Sequence, residues 1–455
     1  MHALLFALPL LVPLPVQGAE PTFEQRVDEV AQGLVDAQFT PGLVVGVIHD
    51  RKTWVKGYGT IAPGSKVVPD GKTLYEIGSI SKVFTGILLA DAVQRRLVEL
   101  EDPVTKHLPD GVTLNNRRRE PVRLIHLTTH TSGFKRDASQ LPSWGTPDPF
   151  SAATPERIYA VLAENKILRA PGKAYVYSNL AAGLLGHVME LVQEETYEQL
   201  LVNRICAPLG LVDTRITLSR DRAARFAPPY SEGGKQRSAW TFDALVGCGG
   251  IRSTVDDLLQ FAQMNLGAIE GQEFMLADAL TSAHQLHHEF KNGGGVALGW
   301  HVEADGQTIW HNGGTGGFRA FLAIDPLARV AVAVLANTTT ANVDTVGQGV
   351  LAALRGKEFK APRYLIPVDV DRAVLEKHVG RYELNPKVFF TITLEPEGLF
   401  AQLTGQGDLR IYPLDEERFF YRAVDARISF HKDEGGKTTA LTLHQNGDQR
   451  AERVE

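Results

Sequence analysis

Near the start of the chain, apolar residues fall at helical spacing. Phe23, Val27, Val30, Ala31, Leu34 and Val35 form one stripe and predict an amphipathic helix. Residues 42–48 and 53–58 are short apolar or alternating runs joined by Asp50-Arg51-Lys52, which predicts two strands. From Ser79 onward Val83, Phe84, Ile87 and Leu88 recur at helical spacing, as in a largely buried helix, and Asp91 on the same stripe turns its last turns polar. Helical patches dominate residues 100–305, including 181–192 and 255–264, and Pro and Gly turns separate them. Strand patterns return at 308–311, 319–324 and 330–335. Strands at both ends with helices between them predict an α+β domain: an antiparallel sheet drawn from both ends, with an inserted helical subdomain.

Residues 355–367 are polar and Pro-containing and are expected to form a linker after a domain spanning 19–354. Beyond it the pattern changes to close-set alternating segments at 389–394, 399–403, 410–412, 419–423, 427–431 and 439–444. Turn residues such as Glu397-Gly398, Gly405-Gln406-Gly407 and Asn446-Gly447 divide them, so 368–455 is expected to be a small all-β barrel.

Composition narrows the function classes. A chain of 455 residues, 44% hydrophobic and 22% charged, is globular and long enough for two units. The net charge is −6 and the basic run Arg117-Arg118-Arg119 sits in a polar stretch, which argues against a nucleic-acid binder. Residues 3–12 are apolar, Pro13 and Pro15 follow, and Val16 and Gly18 suit an export cleavage after Gly18. That run is shorter than the roughly 20 residues needed to span a bilayer. The expectation is a signal peptide over 1–18, no transmembrane segment, and a periplasmic or secreted protein. Cys206 and Cys248 match neither a disulfide framework nor a C-x-x-C pair, and are expected to be small buried residues.

Ser-x-x-Lys places a hydroxyl and an amine on one helical face, where a buried lysine can take the serine proton. It occurs twice. Ser79-Ile80-Ser81-Lys82 follows Gly78 and opens an apolar helix, whereas Ser132-Gly133-Phe134-Lys135 runs into Arg136-Asp137 without helical period and is expected to be a loop coincidence. The words around the first pair, Tyr75-Glu76-Ile77-Gly78-Ser79-Ile80-Ser81-Lys82, resemble the active-site signature of class C β-lactamases and their penicillin-binding and esterase relatives. Leu100-Glu101-Asp102-Pro103-Val104, Leu127-Thr128-Thr129-His130-Thr131-Ser132-Gly133, Pro171-Gly172-Lys173, Pro208-Leu209-Gly210-Leu211 and Gly249-Gly250-Ile251-Arg252-Ser253-Thr254 continue the resemblance in order over residues 22–345.

The resemblance implies a β-lactamase/transpeptidase-like fold with Ser79 as nucleophile. Tyr177-Ser178-Asn179, the only Tyr-x-Asn in the chain, resembles the family's second motif. It implies that Tyr177 and Lys82 relay the Ser79 proton and that Asn179 meets the substrate amide. The third motif, ordinarily Lys-Thr-Gly, is represented by His311-Asn312-Gly313-Gly314. By the same resemblance the N–H groups of Ser79 and Gly314 form the oxyanion hole, and His311, Asn312 and Gly313 bind substrate. A histidine at 311 replaces a permanent charge with a group of ordinary pKa near 6.5, so affinity for anionic substrates is expected to fall between pH 6 and 8. Arg319, close behind, is a second source of positive charge.

Competing constellations are absent from the sequence. There is no Gly-x-Ser-x-Gly; Leu127 stands where a zincin needs glutamate between His126 and His130; His284, His287 and His288 lack acidic partners and are expected on a solvated helix face. No metal or organic cofactor is implied. The expected function is an exported serine hydrolase of class C β-lactamase type. The alternatives are a D-alanyl-D-alanine carboxypeptidase or endopeptidase, a small-ester esterase, and a non-catalytic penicillin-binding-like sensor. The barrel resembles small lipocalin-like domains of family peptidases and is open to two roles, a packed accessory or a lid or binding module.

Overall fold

The computed structural model describes residues 22–455 except 117–119, 168, 270, 272–273, 360–361, 363 and 446. The expected signal peptide and the Arg117–Arg119 run lie outside the described residues.

Helix α1 (Phe23–Asp36) opens with a capping box in which the Thr22 hydroxyl accepts from Gln25 N–H and Gln25 returns to the Thr22 N–H. Strands β1 (Gly42–His49) and β2 (Lys52–Gly59) follow, then the two-residue strand β3 (Tyr75–Glu76), a 3₁₀ turn Gly78–Ile80 and helix α2 (Ser81–Gln94). The middle of the chain is helical and includes α3 (Asn179–Gln193), β4 (Arg252–Ser253) and α4 (Val255–Ile269). Short strands β5 (His288–Glu289), β6 (Gly295–Val296) and β7 (His301–Val302) lead to β8 (Ile309–Gly314), β9 (Arg319–Asp325), β10 (Val330–Ala336) and α5 (Asn342–Leu354).

Eight strands form one antiparallel sheet in the order β2-β1-β10-β9-β8-β7-β6-β5. β1 pairs with β10, Leu43 opposite Ala336, so the sheet is indeed built from both ends of the domain. Both faces are covered, which is why β1 and β10 read as continuous apolar runs. Leu43, Val45 and Val47 pack toward the cluster that includes Val27, Leu34, Val346 and Val350 of α1 and α5. Val44 and Ile48 face the larger cluster beneath α2, α3 and α4. Helix α2 is apolar on nearly all sides and buried at the centre of that cluster.

After α5 the chain reaches a closed eight-stranded barrel, β11 (Gly380–Asn385), β12 (Val388–Glu395), β13 (Gly398–Leu403), β14 (Asp408–Pro413), β15 (Arg418–Tyr421), β16 (Arg427–Lys432), β17 (Thr438–His444) and β18 (Asp448–Arg453). Two strands beyond those expected, β11 and β18, pair to close it. Tyr382, Phe390, Phe419, Ile428, Phe430 and Leu441 fill the interior. His378 is fully buried there, stacked on Phe430 at 4.1 Å and bonded to Thr438 Oγ1 (2.9 Å) and the Glu416 carbonyl (2.7 Å).

Candidate active site

Ser79 sits in the 3₁₀ turn immediately before α2, and Lys82 projects from the first turn of the helix. The lysine is 2% exposed. Its amine contacts Ser79 Oγ at 2.9 Å, Asn179 Oδ1 at 2.7 Å and the Cys248 carbonyl at 2.6 Å. The last two acceptors hold two N–H bonds, so the third direction of the nitrogen points at the serine. In the ammonium form that direction carries a donor; in the neutral amine it carries the lone pair.

Asn179 is the first residue of α3, held through its backbone N–H to the Arg136 carbonyl (2.6 Å) and its Nδ2 to Asp137 Oδ1 (2.6 Å). Ser178 caps α3 at Ala181 N–H and donates its hydroxyl to the Lys135 carbonyl at 2.6 Å. The loop of the second Ser-x-x-Lys is thus the seat of the Tyr-Ser-Asn segment. Ser132 itself is buried and accepts from Phe134 N–H at 3.3 Å.

The Tyr177 ring centroid lies 4.9 Å from Lys82 Nζ and 5.0 Å from the Arg136 guanidinium carbon. Behind it stand three histidines. His130 is 4.3 Å from the Tyr177 ring, His311 is 6.4 Å from it, and His301 is 4.9 Å from His311. His130 Nδ1 accepts the Ser178 N–H at 3.1 Å, which places the proton of its neutral ring on Nε2. His311 Nδ1 donates to the Asn312 carbonyl at 2.5 Å, leaving its Nε2 without a proton. Burial, with the Lys82 charge as a lesser cause, holds all three below the ordinary histidine range, His301 down to about 4.

Ser79, Tyr177, Asn179, Asn312 and Gly314 line one cavity of about 430 Å³ with Arg136, Asp137, Trp144, Phe150, Trp240, His301 and Arg319. His311 is not on that lining. It is 1% exposed, because β8 alternates and residue 311 faces the cluster under the sheet, while Asn312 and Gly314 face the opening. His311 is thus not exposed on the cavity wall, and burial lowers its pKa out of the expected window between pH 6 and 8. Gly313 turns the same way as His311 and abuts the Ser79 turn: a β-carbon there would stand 1.9 Å from Ile77 O and 3.0 Å from Ser79 N. Arg136 and Arg319 are the cations on the cavity lining; Arg319 Nε bonds Asp344 Oδ1 at 2.8 Å and its Nη2 bonds Oδ2, and Asn312 Nδ2 shares that carboxylate at 2.6 Å.

Sequence reasoning did not reach Arg136, Asp137, Trp144, Phe150, Trp240 or His301. They come from loops and a two-residue strand, where no period marks a facing side chain. His284 is not on a solvated helix face. It follows the helix Ala277–Ala283 and turns inward to Asn265 Oδ1 at 2.7 Å. Cys206 and Cys248 are free and buried. No group of three or more His, Cys, Asp or Glu among the described residues is arranged to hold a metal ion.

The family model described as Beta-lactamase matches residues 27–357, and a domain of unknown function, DUF3471, matches 366–454. A D-alanyl-D-alanine-carboxypeptidase/endopeptidase, AmpH, of Escherichia coli strain K12 is 29% identical over 339 residues, covering 70% of this chain and 86% of its own. A Beta-lactamase of the same organism is 29% identical over 347 residues, 68% of this chain and 87% of its own. Among solved structures, a β-lactamase/D-alanine carboxypeptidase from Yersinia pestis superposes with a TM-score of 0.63 at 27% identity, over 73% of this chain and 98% of that one. An octameric penicillin-binding protein homologue from Pyrococcus abyssi shares the fold with a TM-score of 0.64 at 20% identity, over 94% of this chain and 99% of that one.

Proposed function

The chain belongs to the Beta-lactamase family of serine hydrolases, and from that premise we propose that Ser79 is its nucleophile in an acyl-enzyme hydrolysis of β-lactams. The observation that carries this reading is the 2.9 Å contact of Ser79 Oγ with a buried amine whose two other bonds are fixed on Asn179 and Cys248.

In the productive state Lys82 is neutral. Its lone pair takes the Ser79 proton as Oγ bonds to the carbonyl carbon, and the amide C–N bond then breaks with that proton delivered to the leaving nitrogen. Tyr177, close beside the amine, is the second member of the relay. The N–H groups of Ser79 and Gly314 receive the oxyanion. Water then attacks the acyl ester, gives its proton to the same relay, and Ser79 recovers its own. Asn179 keeps Lys82 oriented and presents the remainder of its amide to the substrate. Asn312 and Arg319, bridged by Asp344, form the polar wall on which a substrate carboxylate rests.

A D-alanyl-D-alanine peptidase is the second reading, favoured by the carboxypeptidase/endopeptidase relative at 29% identity. Export by the apolar segment at 3–12 belongs to both readings. The test is a pre-steady-state burst with a chromogenic cephalosporin, a D-Ala-D-Ala peptide and a nitrophenyl ester in parallel. The expected result is turnover of the cephalosporin after a burst of one equivalent, lost in Ser79→Ala and kept in Ser132→Ala. Acylation without turnover would make the protein a sensor, and the reverse serine dependence would overturn the site.

A further inference from the structure

The barrel grips a segment of the catalytic domain that ends at the active-site rim. Residues 230–236 form a tight hairpin: Tyr230 and Gln236 bridge, and Ser231 N–H bonds the Lys235 carbonyl at 2.8 Å. At its tip, Tyr412 of β14 donates its hydroxyl to the Glu232 carbonyl at 3.1 Å and Arg410 donates Nη1 to the Gly233 carbonyl at 3.1 Å. The Arg410 guanidinium lies 4.6 Å over the Tyr412 ring, which holds the two donors as one unit. From the hairpin, Lys235 reaches Glu395 at 2.6 Å and Asp408 at 3.7 Å, with its amine 4.6 Å from the Phe400 ring. Gly234 has φ +85°, and a β-carbon there would stand 3.0 Å from Arg410 Nη1. The tip is shaped to the barrel that holds it.

Both arms of this strap run to the site. On the incoming arm, Tyr230 N–H bonds the Gly317 carbonyl at 3.2 Å, and Pro229 packs so closely that a β-carbon on Gly317 would lie 2.2 Å from its ring. Gly316 and Gly317 belong to the turn after β8, the strand that carries Asn312 and Gly314. On the outgoing arm, Trp240 lines the cavity, its N–H bonded to Glu76 Oε1 at 2.9 Å and its carbonyl to Arg252 at 3.1 Å. Glu76 lies three residues before Ser79. Trp240 Nε1 would be 2.4 Å from a β-carbon on Gly316. One strap therefore touches the turn behind the substrate strand, the aromatic rim and the strand leading to the nucleophile.

We propose that the barrel is a positioning element for substrate binding: Arg410, Tyr412 and Lys235 fix the hairpin tip, and the hairpin thereby fixes Trp240 and the Gly316-Gly317 turn against the cavity. Glu232 N–H is also held by Thr339 Oγ1 of the catalytic domain at 2.9 Å; a tip that keeps that bond but loses the barrel's contacts samples more conformations, and substrate must then supply the ordering cost on binding. Ser79, Lys82 and Asn179 are held by α2, α3 and Asp137, which the strap does not touch. Gly314 stays paired with Arg319 of β9, so losing the grip changes affinity more than the chemical step. The inference rests on the Ser79 cavity being the active site.

The experiment uses the full chain. In Arg410→Met/Tyr412→Phe, the substrate concentration for half-maximal acylation is expected to rise about three- to tenfold, the effect of one net hydrogen bond. The saturating acylation rate stays within about twofold, and the burst remains one equivalent. Lys235→Met, made on the catalytic side, gives the same shift without altering the barrel. Arg453→Met removes bonds to the Lys377, Thr438 and Val379 carbonyls that close the barrel elsewhere, and serves as the stability control. It lowers the barrel's melting temperature and leaves half-saturation unchanged. Wild-type half-saturation in both strap variants, or an equal rise in Arg453→Met, overturns the proposal. Failure of the site assignment is separate, because it shows as a wild-type chain without a Ser79-dependent burst.

Discussion

Gly313→Ala places one methyl group between β8 and the Ser79 turn. The new carbon would stand 1.9 Å from Ile77 O and 3.0 Å from Ser79 N. Non-bonded carbon contacts settle near 3.5 Å, so the gap must open by roughly 1.5 Å. Both walls are backbone, and no side chain can swing aside to relieve the contact. The strand therefore moves away from the nucleophile, carrying the Gly314 N–H with it. Displacement of a reacting group by about 1 Å costs on the order of 100-fold, so acylation in Gly313→Ala is expected to fall about 100-fold or more. Overpacking costs about 1–3 kcal/mol of stability, which a two-domain chain of this size survives. The neighbouring Gly314→Ala is the matched comparison. Its β-carbon's one tight contact is with the end of the flexible Arg319 side chain, Nη1 at 3.2 Å, and the backbone N–H is kept, so the loss is expected to stay within about tenfold. The assay is the burst rate with a chromogenic cephalosporin, accompanied by circular dichroism to verify folding. Equal rates in the two variants, or a Gly313→Ala rate within threefold of wild type, would refute the close apposition of β8 and Ser79 as a catalytic requirement.

Lys82→Met is expected to lower acylation at least about 100-fold, the lower range for a positioned acid–base group, and a near-normal rate would remove the lysine from the relay. Asn179→Ala removes a bond that orients Lys82 and unpairs Asp137, with an expected loss of about 10- to 100-fold, read in the same burst assay. Because burial keeps His311 neutral above its depressed pKa, KM for an anionic and a neutral substrate should run parallel from pH 6 to 8; a divergence cured by His311→Gln would contradict this. His301 binds no proton in the native state until about pH 4, whereas its unfolded form takes one near 6.5. Stability therefore rises with pH through that window and is lost on acidification, and melting temperatures between pH 4 and 7 should show a shallower slope in His301→Gln. Burial pushes the Cys206 thiol up to about 12 and Cys248 up to about 11, so neither should react with a maleimide before unfolding, as mass spectrometry would show.

Ser79, Lys82, Tyr177 and Asn179 were legible because each stands at the mouth of a strongly apolar helix, where short motif and helical period point to the same face. The paired strands 42–48 and 330–335 were legible as apolar runs, although the sequence could not say that they hydrogen-bond to each other. The burial of His311 was not legible because a motif names a residue without naming the face of the strand. Parity along β8 decides that, and it sends His311 and Gly313 under the sheet and Asn312 and Gly314 to the cavity. Asp137 and the Cys248 carbonyl escaped notice for a different reason. One is a loop carboxylate and the other a backbone atom, and both acquire meaning only when α2 and α3 come together. The strap around Trp240 is likewise invisible in one dimension, since its role depends on a barrel that begins well over 100 residues later.

The pairing of β1 with β10 also sets an order of events in folding. Ser79 and Gly313, which nearly touch, are separated by more than half the chain, and Leu43 waits for Ala336 across almost two-thirds of it. Contacts of such sequence separation carry a large loop-closure entropy and form late. Until residue 336 has been synthesised, β1 lacks its partner β10 and the two ends of the sheet cannot join. The sheet on which β8 rests closes only when β10 joins β1 to β9.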